Sequence, residues 1–268
     1  MVELFEQDIR TNDRQSSKGN QLKWKNNHIW YKADYAGYEG LAEIVVSRLL
    51  EKSSLDSKEY VHYEAEQIRY REQIYSGVKS KDFLEGDWQI VTLERLFQSF
   101  FRESLYKAIY RMDSSSSRLS FLVEQVERLT GLKDFGRYMN RILTIDAFFL
   151  NEDRHTHNIA VLTNGVREFR LCPIFDHGAA LLSDTKMDYP LTGDVYHFME
   201  EVGAKTICRD FDEQLDVSEE LYGENLKFYF TKKDVDDILS QMTGYHEQII
   251  ERVRTILYMQ MRKYEYLF

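Results

Sequence analysis

The sequence predicts an α+β fold with a β-rich front and a helical back. Residues 21–91 contain short runs of alternating apolar and polar residues separated by turn residues, a pattern typical of antiparallel strands. Residues 92–268 contain longer runs with apolar residues at helical spacing. The chain has 268 residues and only two prolines, so we expect an ample core and no proline-rich linker. These observations place a domain boundary after residue 92, between domains 1–92 and 93–268.

The front of the chain is predicted to begin with a hairpin. Two alternating runs, Gln21–Lys25 and His28–Asp34, are separated by Asn26-Asn27, a pair that favours a tight turn. Further strands are predicted over Tyr60–Tyr70, Ser76–Lys81 and Trp88–Val91.

The helical pattern is strongest in the second part of the chain. Thr92 is a plausible N-cap and Gly131 a plausible C-cap, while Ser114–Ser117 and Asp184–Gly193 are predicted as loops. The predicted helices are Tyr38–Lys52, Thr92–Arg102, Leu119–Leu129, Phe135–Leu150, Lys232–Met242 and Gly244–Tyr264.

The octet Asn-Glu-Asp-Arg-His-Thr-His-Asn at residues 151–158 is the most informative segment. It follows the apolar helix ending near Leu150 and precedes a predicted hairpin, Ile159–Thr163 and Arg167–Phe175, turned by Asn164-Gly165. The second strand is expected to end at Asp176, which opens the sequence Asp-His-Gly. This frame would bring Asp153, Asn158 and Asp176 to one end of the hairpin.

Two carboxylates and a carboxamide at this spacing suit phosphoryl transfer. One aspartate, Asp153, can orient an attacking hydroxyl and accept its proton, while Asn158 and Asp176 can hold magnesium. Magnesium prefers oxygen ligands and usually takes only one or two protein carboxylates together with substrate phosphates. Two ligands therefore suffice.

The pattern D-R-H-x-x-N followed by D-x-G resembles the phosphatidylinositol kinases and the bacterial HipA-like Ser/Thr kinases. The octet at 151–158 is closer to the HipA-like group. The resemblance implies a two-lobed protein-kinase-like fold, ATP and Mg²⁺ as cofactors, and a protein Ser or Thr as acceptor. His177 stands where many kinases have Phe, which argues against a Phe-based switch. The adenine pocket is expected near residues 85–95.

Lys32 interrupts the aromatic strand Ile29–Ala33. Such a lysine could reach solvent along its stem, or it could hold the α- and β-phosphates of ATP as the strand lysine of kinases does. Glu39 and Glu43 lie one turn apart on the following helix, and one of them is expected to pair with Lys32. Comparison with HipA-like chains favours Glu39. The alternative is that both are ordinary solvated glutamates.

The polar loop Arg14–Asn20 precedes the first hairpin. Its backbone N–H groups, with Ser16, Ser17 and Lys18, could cover the phosphates of the nucleotide. The loop lacks both common glycine-rich phosphate motifs, so a plain polar loop is the competing interpretation. The family resemblance also implies that Ser16 or Ser17 could be an autophosphorylation site.

Other functions compete with the kinase hypothesis. Zinc binding by His155, His157 and His177 is disfavoured, because His155 and His157 are only two residues apart and no Cys or acidic triad accompanies them at metal-ligand spacing. His155 is more simply a brace for its loop, while Arg154 and His157 could touch phosphate or be solvated. A pseudokinase that binds nucleotide or a partner, and a lipid kinase, are the remaining alternatives.

Net charge, cysteine count and the lack of long apolar segments limit the classes of partner and the compartment that we expect. A net charge of −10 argues against direct nucleic-acid binding and against anionic membranes. The sequence has no signal peptide, no membrane span and only two cysteines, Cys172 and Cys208, so a cytoplasmic protein is expected. The chain is shorter than HipA-like kinases usually are. The resemblance therefore implies a small separate protein that replaces their N-terminal part, or a DNA-binding antitoxin partner.

Overall fold

The computed structural model describes residues 1–9, 21–166 and 168–268. In this part of the chain, no helix is long and apolar enough to cross a membrane. The chain divides into two compact units, and the domain boundary predicted after residue 92 remains a prediction. Unit 1 comprises Met1–Phe83, Phe175–Val202 and Phe228–Phe268, and unit 2 comprises Leu84–Ile174 and Gly203–Lys227.

The strands form two sheets, one in each unit. The sheet of unit 1 has the order β1-β4-β5-β3-β2, in which only the β1–β4 pair is parallel, and the sheet of unit 2 has the antiparallel order β6-β7-β8. The strands are β1 (Val2–Glu3), β2 (Lys23–Asn26), β3 (Ile29–Ala33), β4 (Glu64–Tyr70), β5 (Gln73–Lys81), β6 (Gln89–Thr92), β7 (Ala160–Thr163) and β8 (Phe169–Leu171).

The first predicted hairpin is confirmed, with its turn shifted by one residue. Asn26 pairs with Ile29 in the ladder, so the turn residues are Asn27 and His28, both with positive φ. A two-residue turn with positive φ at both positions matches the right-handed twist of the flanking strands. Because Asn26 is itself paired in the ladder, the two turn positions fall on Asn27 and His28, one residue later than predicted.

The sheet of unit 1 packs its aromatic residues on one side of the β2–β3 hairpin. Trp24, Tyr31, Ile68 and Tyr70 are all buried in one apolar cluster with Leu4. Gly77 of β5 lies opposite Ala33, where a Cβ atom would collide with the carbonyl oxygen of Lys32. The close approach of β3 and β5 therefore requires glycine at this position.

Most of the predicted helices are present within a few residues of their expected ends, whereas α3, α6 and α7 were not predicted. The helices are α1 (Glu39–Leu50), α2 (Leu93–Phe101), α3 (Leu105–Ile109), α4 (Ser115–Thr130), α5 (Phe135–Phe149), α6 (Val195–Glu201), α7 (Phe211–Tyr222), α8 (Lys232–Ser240) and α9 (Glu247–Lys263).

Helix ends confirm two caps and correct one loop. The Thr92 side chain accepts a hydrogen bond from the backbone of Arg95, and Gly131 ends α4 with a φ of +77°. The serine run Ser114–Ser117 is not a loop: Ser114 caps α4, and the other serines form its first turn. Serine is a strong N-cap residue, and the buried apolar residues further along α4 stabilise the helix that begins here.

Helix α5 is the centre of unit 2. Its residues are almost all buried, among them Met139, Ile142 and Phe148. It leads directly into the 151–158 octet, which is followed by the predicted β7–β8 hairpin. Strand β8 ends at Leu171, so Asp176 is not at a strand end as expected, but five residues beyond it. Pro173, which cannot donate to a strand ladder, lies in the intervening segment.

Candidate functional site

The first polar cluster lies within unit 1 and centres on Lys32. Its Nζ atom donates to Glu43 Oε1 at 2.5 Å and to Asp176 Oδ1 at 2.8 Å. The Lys32 side chain is 14% exposed and that of Glu43 only 1%. The ring of Tyr63 lies beside the ammonium group, 5.3 Å from its centroid. Lys32 is therefore held between two carboxylates instead of extending to solvent.

Charge pairing dominates the protonation of this lysine. Burial by itself would lower the pKa of Lys32, but the carboxylates of Asp176 and Glu43 outweigh it and hold that pKa well above its ordinary value. The ammonium group is charged at every physiological pH. A fixed cation beside an aspartate is the local arrangement that binding of nucleotide phosphates and a divalent metal requires.

The two candidate glutamates of α1 have different tasks. Glu43 pairs with Lys32 and also accepts a hydrogen bond from the backbone N–H of His177 at 3.0 Å. Glu39, the first residue of α1, accepts instead from the backbone N–H groups of residues 35–37. The preference for Glu39 drawn from the family is therefore wrong. The Glu39 carboxylate folds back onto the backbone N–H groups of the segment that precedes α1, which turns it away from the lysine.

Asp176 has an unusual backbone. Its φ is +66°, in the left-handed region, and its N–H donates to the hydroxyl oxygen of Tyr63 at 3.3 Å. Aspartate tolerates this region better than most residues, at a cost of about 1 kcal/mol or more. The segment after β8 is held in this conformation while the carboxylate contacts Lys32. Backbone strain at such a residue is common where a side chain must be presented to a ligand.

The second polar cluster lies within unit 2 and centres on Asp153, whose side chain is almost fully buried. The Asn158 amide nitrogen donates to the Asp153 carbonyl at 2.8 Å and to its carboxylate at 3.2 Å. Lys205 Nζ lies 3.4 Å from Asp153 Oδ1, and His155 Nε2 lies 3.8 Å from the same atom. Asp153 and Asn158 thus contact each other within one loop.

Arg154 braces this loop from beneath. It binds both carboxylate oxygens of Asp146, near the end of α5, and donates to the carbonyl of Asn158 at 3.1 Å. Burial raises the pKa of Asp146, although the Arg154 guanidinium opposes the shift. Arg154 is 2% exposed, so the expectation that it touches phosphate or is solvated is wrong. Its fork of donors instead ties the end of the octet at Asn158 to Asp146 of α5.

The histidines of the octet take part in the same loop. The backbone of His157 donates to His155 Nδ1, and the two rings meet edge to face. Thr156 donates its hydroxyl to the buried carboxylate of Glu94 at 2.8 Å. Over the described residues, no group of three or more His, Cys, Asp or Glu is placed to hold a metal ion. His155 contacts the backbone of its own loop through Nδ1, as expected of a residue that stabilises the loop.

The remaining site predictions concern the polar loop and the adenine pocket. Ser16, Ser17 and Lys18 lie outside the described residues, so their role as a phosphate cover stays a prediction. Residues 85–95, expected near adenine, form a turn, strand β6 and the first turn of α2. Lys205 and Tyr63 were not expected at the site. Neither belongs to a motif, and only the tertiary fold brings them to Asp153 and Lys32 respectively.

Comparisons with known proteins bear on the fold. The chain is similar to the crystal structure of a Helicobacter pylori proinflammatory kinase, CtkA, with 15% identity and a TM-score of 0.59 over 95% of this chain and 92% of that one. It is also similar to HipA in a Shewanella oneidensis MR-1 toxin–antitoxin complex with HipB and operator DNA, with 14% identity and a TM-score of 0.49 over 95% of this chain and 66% of that one. No protein-family model and no curated protein matches the sequence. The first similarity confirms the predicted α+β, kinase-like fold.

Proposed function

We propose that this protein is a kinase that transfers the γ-phosphate of ATP to a hydroxyl group, with a protein Ser or Thr as the acceptor and Mg²⁺ as the metal. The observation that carries the proposal is the placement of the Lys32 ammonium between Glu43 and Asp176. A buried lysine bridging a helix glutamate and the aspartate of a D-x-G sequence matches the nucleotide-binding pair of kinases. The kinase-like fold supports the same conclusion.

The residues present suit the proposed cofactors. Asp176 supplies a carboxylate and Asn158 an amide oxygen, both of the hard oxygen type that magnesium prefers. The Asn158 amide nitrogen already donates to Asp153, which leaves the oxygen of that amide as the atom to face a metal. Bound magnesium would neutralise charge on the β- and γ-phosphates. Lys32, oriented by Glu43, would hold the α- and β-phosphates.

Asp153 would act on the acceptor. Its carboxylate would accept the proton of the acceptor hydroxyl as the hydroxyl oxygen forms a bond to the γ-phosphorus. The bond between the γ-phosphorus and the oxygen that bridges it to the β-phosphorus breaks, and ADP leaves. The amide of Asn158 fixes one oxygen of the carboxylate. Lys205, close to the other oxygen, would stabilise negative charge on the transferring group.

Labelled ATP, magnesium and a cell lysate, followed by mapping of phosphorylated sites, test the proposal. We expect labelled Ser or Thr residues that are absent when Asp176→Asn replaces the wild type. Nucleotide binding without any transfer would contradict the proposal and favour the pseudokinase alternative. Label in lipid extracts alone would favour the lipid kinase.

A partner is also proposed, from the family resemblance alone. It is a small separate protein, either equivalent to the N-terminal part of HipA-like kinases or a DNA-binding antitoxin. Affinity purification of the tagged chain from its own host would recover it at a one-to-one ratio. Recovery of the tagged chain alone would contradict this part of the proposal.

A further inference from the structure

Unit 2 contains a pocket of about 630 Å³ beside the octet. Four of the side chains around it are permanent cations: Lys107, Arg118, Lys205 and Arg209. None of the described residues that line it is acidic. The chain as a whole has a net charge of −10, so the lining of this pocket is more positive than the average of the chain. Its size lies within the range of small-ligand sites, about 300–1,000 Å³.

The walls of the pocket are partly fixed. Arg118 donates to the carbonyls of Met112 and Ile207 and lies over the ring of Tyr110 at 4.7 Å. The rings of Tyr106 and Tyr110 lie 4.6 Å apart and are both partly exposed. Arg118 therefore builds the wall, while Lys107 and Arg209 line the pocket with exposed side chains.

Carboxylates lie near the pocket, but none of these four lines it: Glu94, Asp153, and Asp210 and Glu213 near Cys208. Glu94 is buried and accepts hydrogen bonds from the backbone of Leu105 and Tyr106 and from Thr156. Burial works to raise the pKa of Glu94, but these hydrogen bonds and the nearby His157 hold it below its ordinary value. Asp153 lies within 4 Å of both Lys205 and His155, and Lys205 remains 41% exposed.

The pocket adjoins the proposed catalytic aspartate. Lys205 and His155 both line it, and both lie within 4 Å of Asp153 Oδ1. An extended peptide advances by about 3.3–3.6 Å per residue. A side chain one to three residues from an acceptor hydroxyl at Asp153 would therefore reach the pocket.

We infer that this pocket selects the acceptor by binding Asp or Glu side chains that flank the phosphorylated hydroxyl. The inference rests on the proposed kinase function and names its substrate class: acidic peptide segments. The tyrosine rings suit the methylene groups of a peptide side chain. Nucleic acid or an anionic membrane would need cations spread over an extended face, whereas these surround a single pocket.

Peptide binding tests the inference without any requirement for catalysis. Two fluorescent ten-residue peptides, each with one Ser, carry either Glu or Gln at the flanking positions, and their binding to the full chain is measured by anisotropy at low salt. We expect the Glu peptide to bind about tenfold more tightly, the order expected from a few exposed ion pairs. The double variant Lys107→Glu/Arg209→Glu should lose this preference, whereas Lys133→Glu, an exposed lysine of unit 2 outside the pocket, should retain it.

Equal binding of the two peptides, or an unchanged preference in the double variant, would overturn the inference. Stronger competition by inorganic phosphate or by phosphoinositide vesicles than by the Glu peptide would also overturn it. Thermal unfolding of each variant controls for folding. The same peptides in a transfer assay separate the two claims: transfer to both peptides without preference leaves the kinase and removes the acidic selection. Preferential binding of the Glu peptide without transfer to either peptide supports the acidic selection and contradicts the kinase function.

Discussion

Lys32 and Glu43 should be energetically coupled, and Glu39 should not be coupled to Lys32. The perturbation is a double-mutant cycle with Lys32→Met and Glu43→Gln. Glutamine keeps an oxygen for the backbone N–H of His177 but removes the charge next to the lysine. Glu39→Gln with the same lysine variant is the matched control, since Glu39 is one turn away on α1 and its carboxylate accepts hydrogen bonds from backbone N–H groups.

The magnitude follows from the geometry. At 2.5 Å, two unit charges attract by about 7 kcal/mol when the effective dielectric constant is about 20. Removing a buried carboxylate from water costs several kcal/mol, which offsets most of that attraction. Lys32 also keeps Asp176 at 2.8 Å when Glu43 is neutralised. We therefore expect a coupling free energy of about 1–3 kcal/mol for Glu43 and below about 0.5 kcal/mol for Glu39.

Urea unfolding followed by tryptophan fluorescence measures these free energies, since Trp24 is buried in unit 1. Lys32→Met leaves the Glu43 and Asp176 carboxylates without their shared cation, so this variant should itself destabilise the fold. Equal coupling for the two glutamates would refute the assignment.

Three further predictions address other parts of the chain. Burial raises the pKa of Asp34 to about 7, so its contribution to unfolding free energy is full below about pH 3.8 and is lost as pH rises to about 7. Asp34→Asn should remove that slope, at most ~1.4 kcal/mol per pH unit, from urea titrations between those pH values. Gly77→Ala should destabilise the fold by about 1–3 kcal/mol in the same unfolding assay, because its Cβ would press the backbone of Lys32 away; wild-type stability would contradict the packing of β3 on β5. If Ser16 or Ser17 is autophosphorylated, the intact mass of the wild type should exceed that of Ser16→Ala/Ser17→Ala by one phosphate beyond the sequence difference, and phosphate only at other residues would refute this site.

Local sequence signals were sufficient for elements whose cause is local. The apolar spacing that predicts α5 is a property of one helix, and the turn residues near residue 27 determine the first hairpin. The octet 151–158 is continuous, so Asp153 and Asn158 could be assigned together. Their contact follows from a five-residue spacing in one loop.

Choices between equivalent residues depended on tertiary contacts. Glu39 and Glu43 are alike in sequence, but the backbone N–H groups before α1 attract Glu39, and Glu43 is left for Lys32. Arg154 has the composition of a phosphate ligand, yet the buried Asp146 one turn before the end of α5 takes its guanidinium. Lys205 comes from a segment with no motif. No pattern within a single stretch of chain distinguishes these outcomes.

The structure of the segment after β8 also escaped prediction. The sequence predicted a strand over Arg167–Phe175 that would reach Asp176, but β8 ends at Leu171 and Ile174 forms only an isolated bridge. The left-handed backbone at Asp176 depends on contacts from Tyr63 and Lys32, which are more than a hundred residues earlier. Such non-local contacts determine the conformation that the local pattern leaves open.

Transfer of the γ-phosphate of ATP by Asp153→Asn tests the proposed chemistry most directly. The measurement compares wild type and variant for phosphate incorporation into the acceptor and, in parallel, for calorimetric binding of ATP with magnesium. Because Asp153 acts on the acceptor hydroxyl, we predict a loss of transfer of about 10²-fold or more with nearly unchanged ATP affinity. Transfer by the variant at the wild-type rate would contradict the assignment of Asp153 as the group that accepts the proton of the attacking hydroxyl.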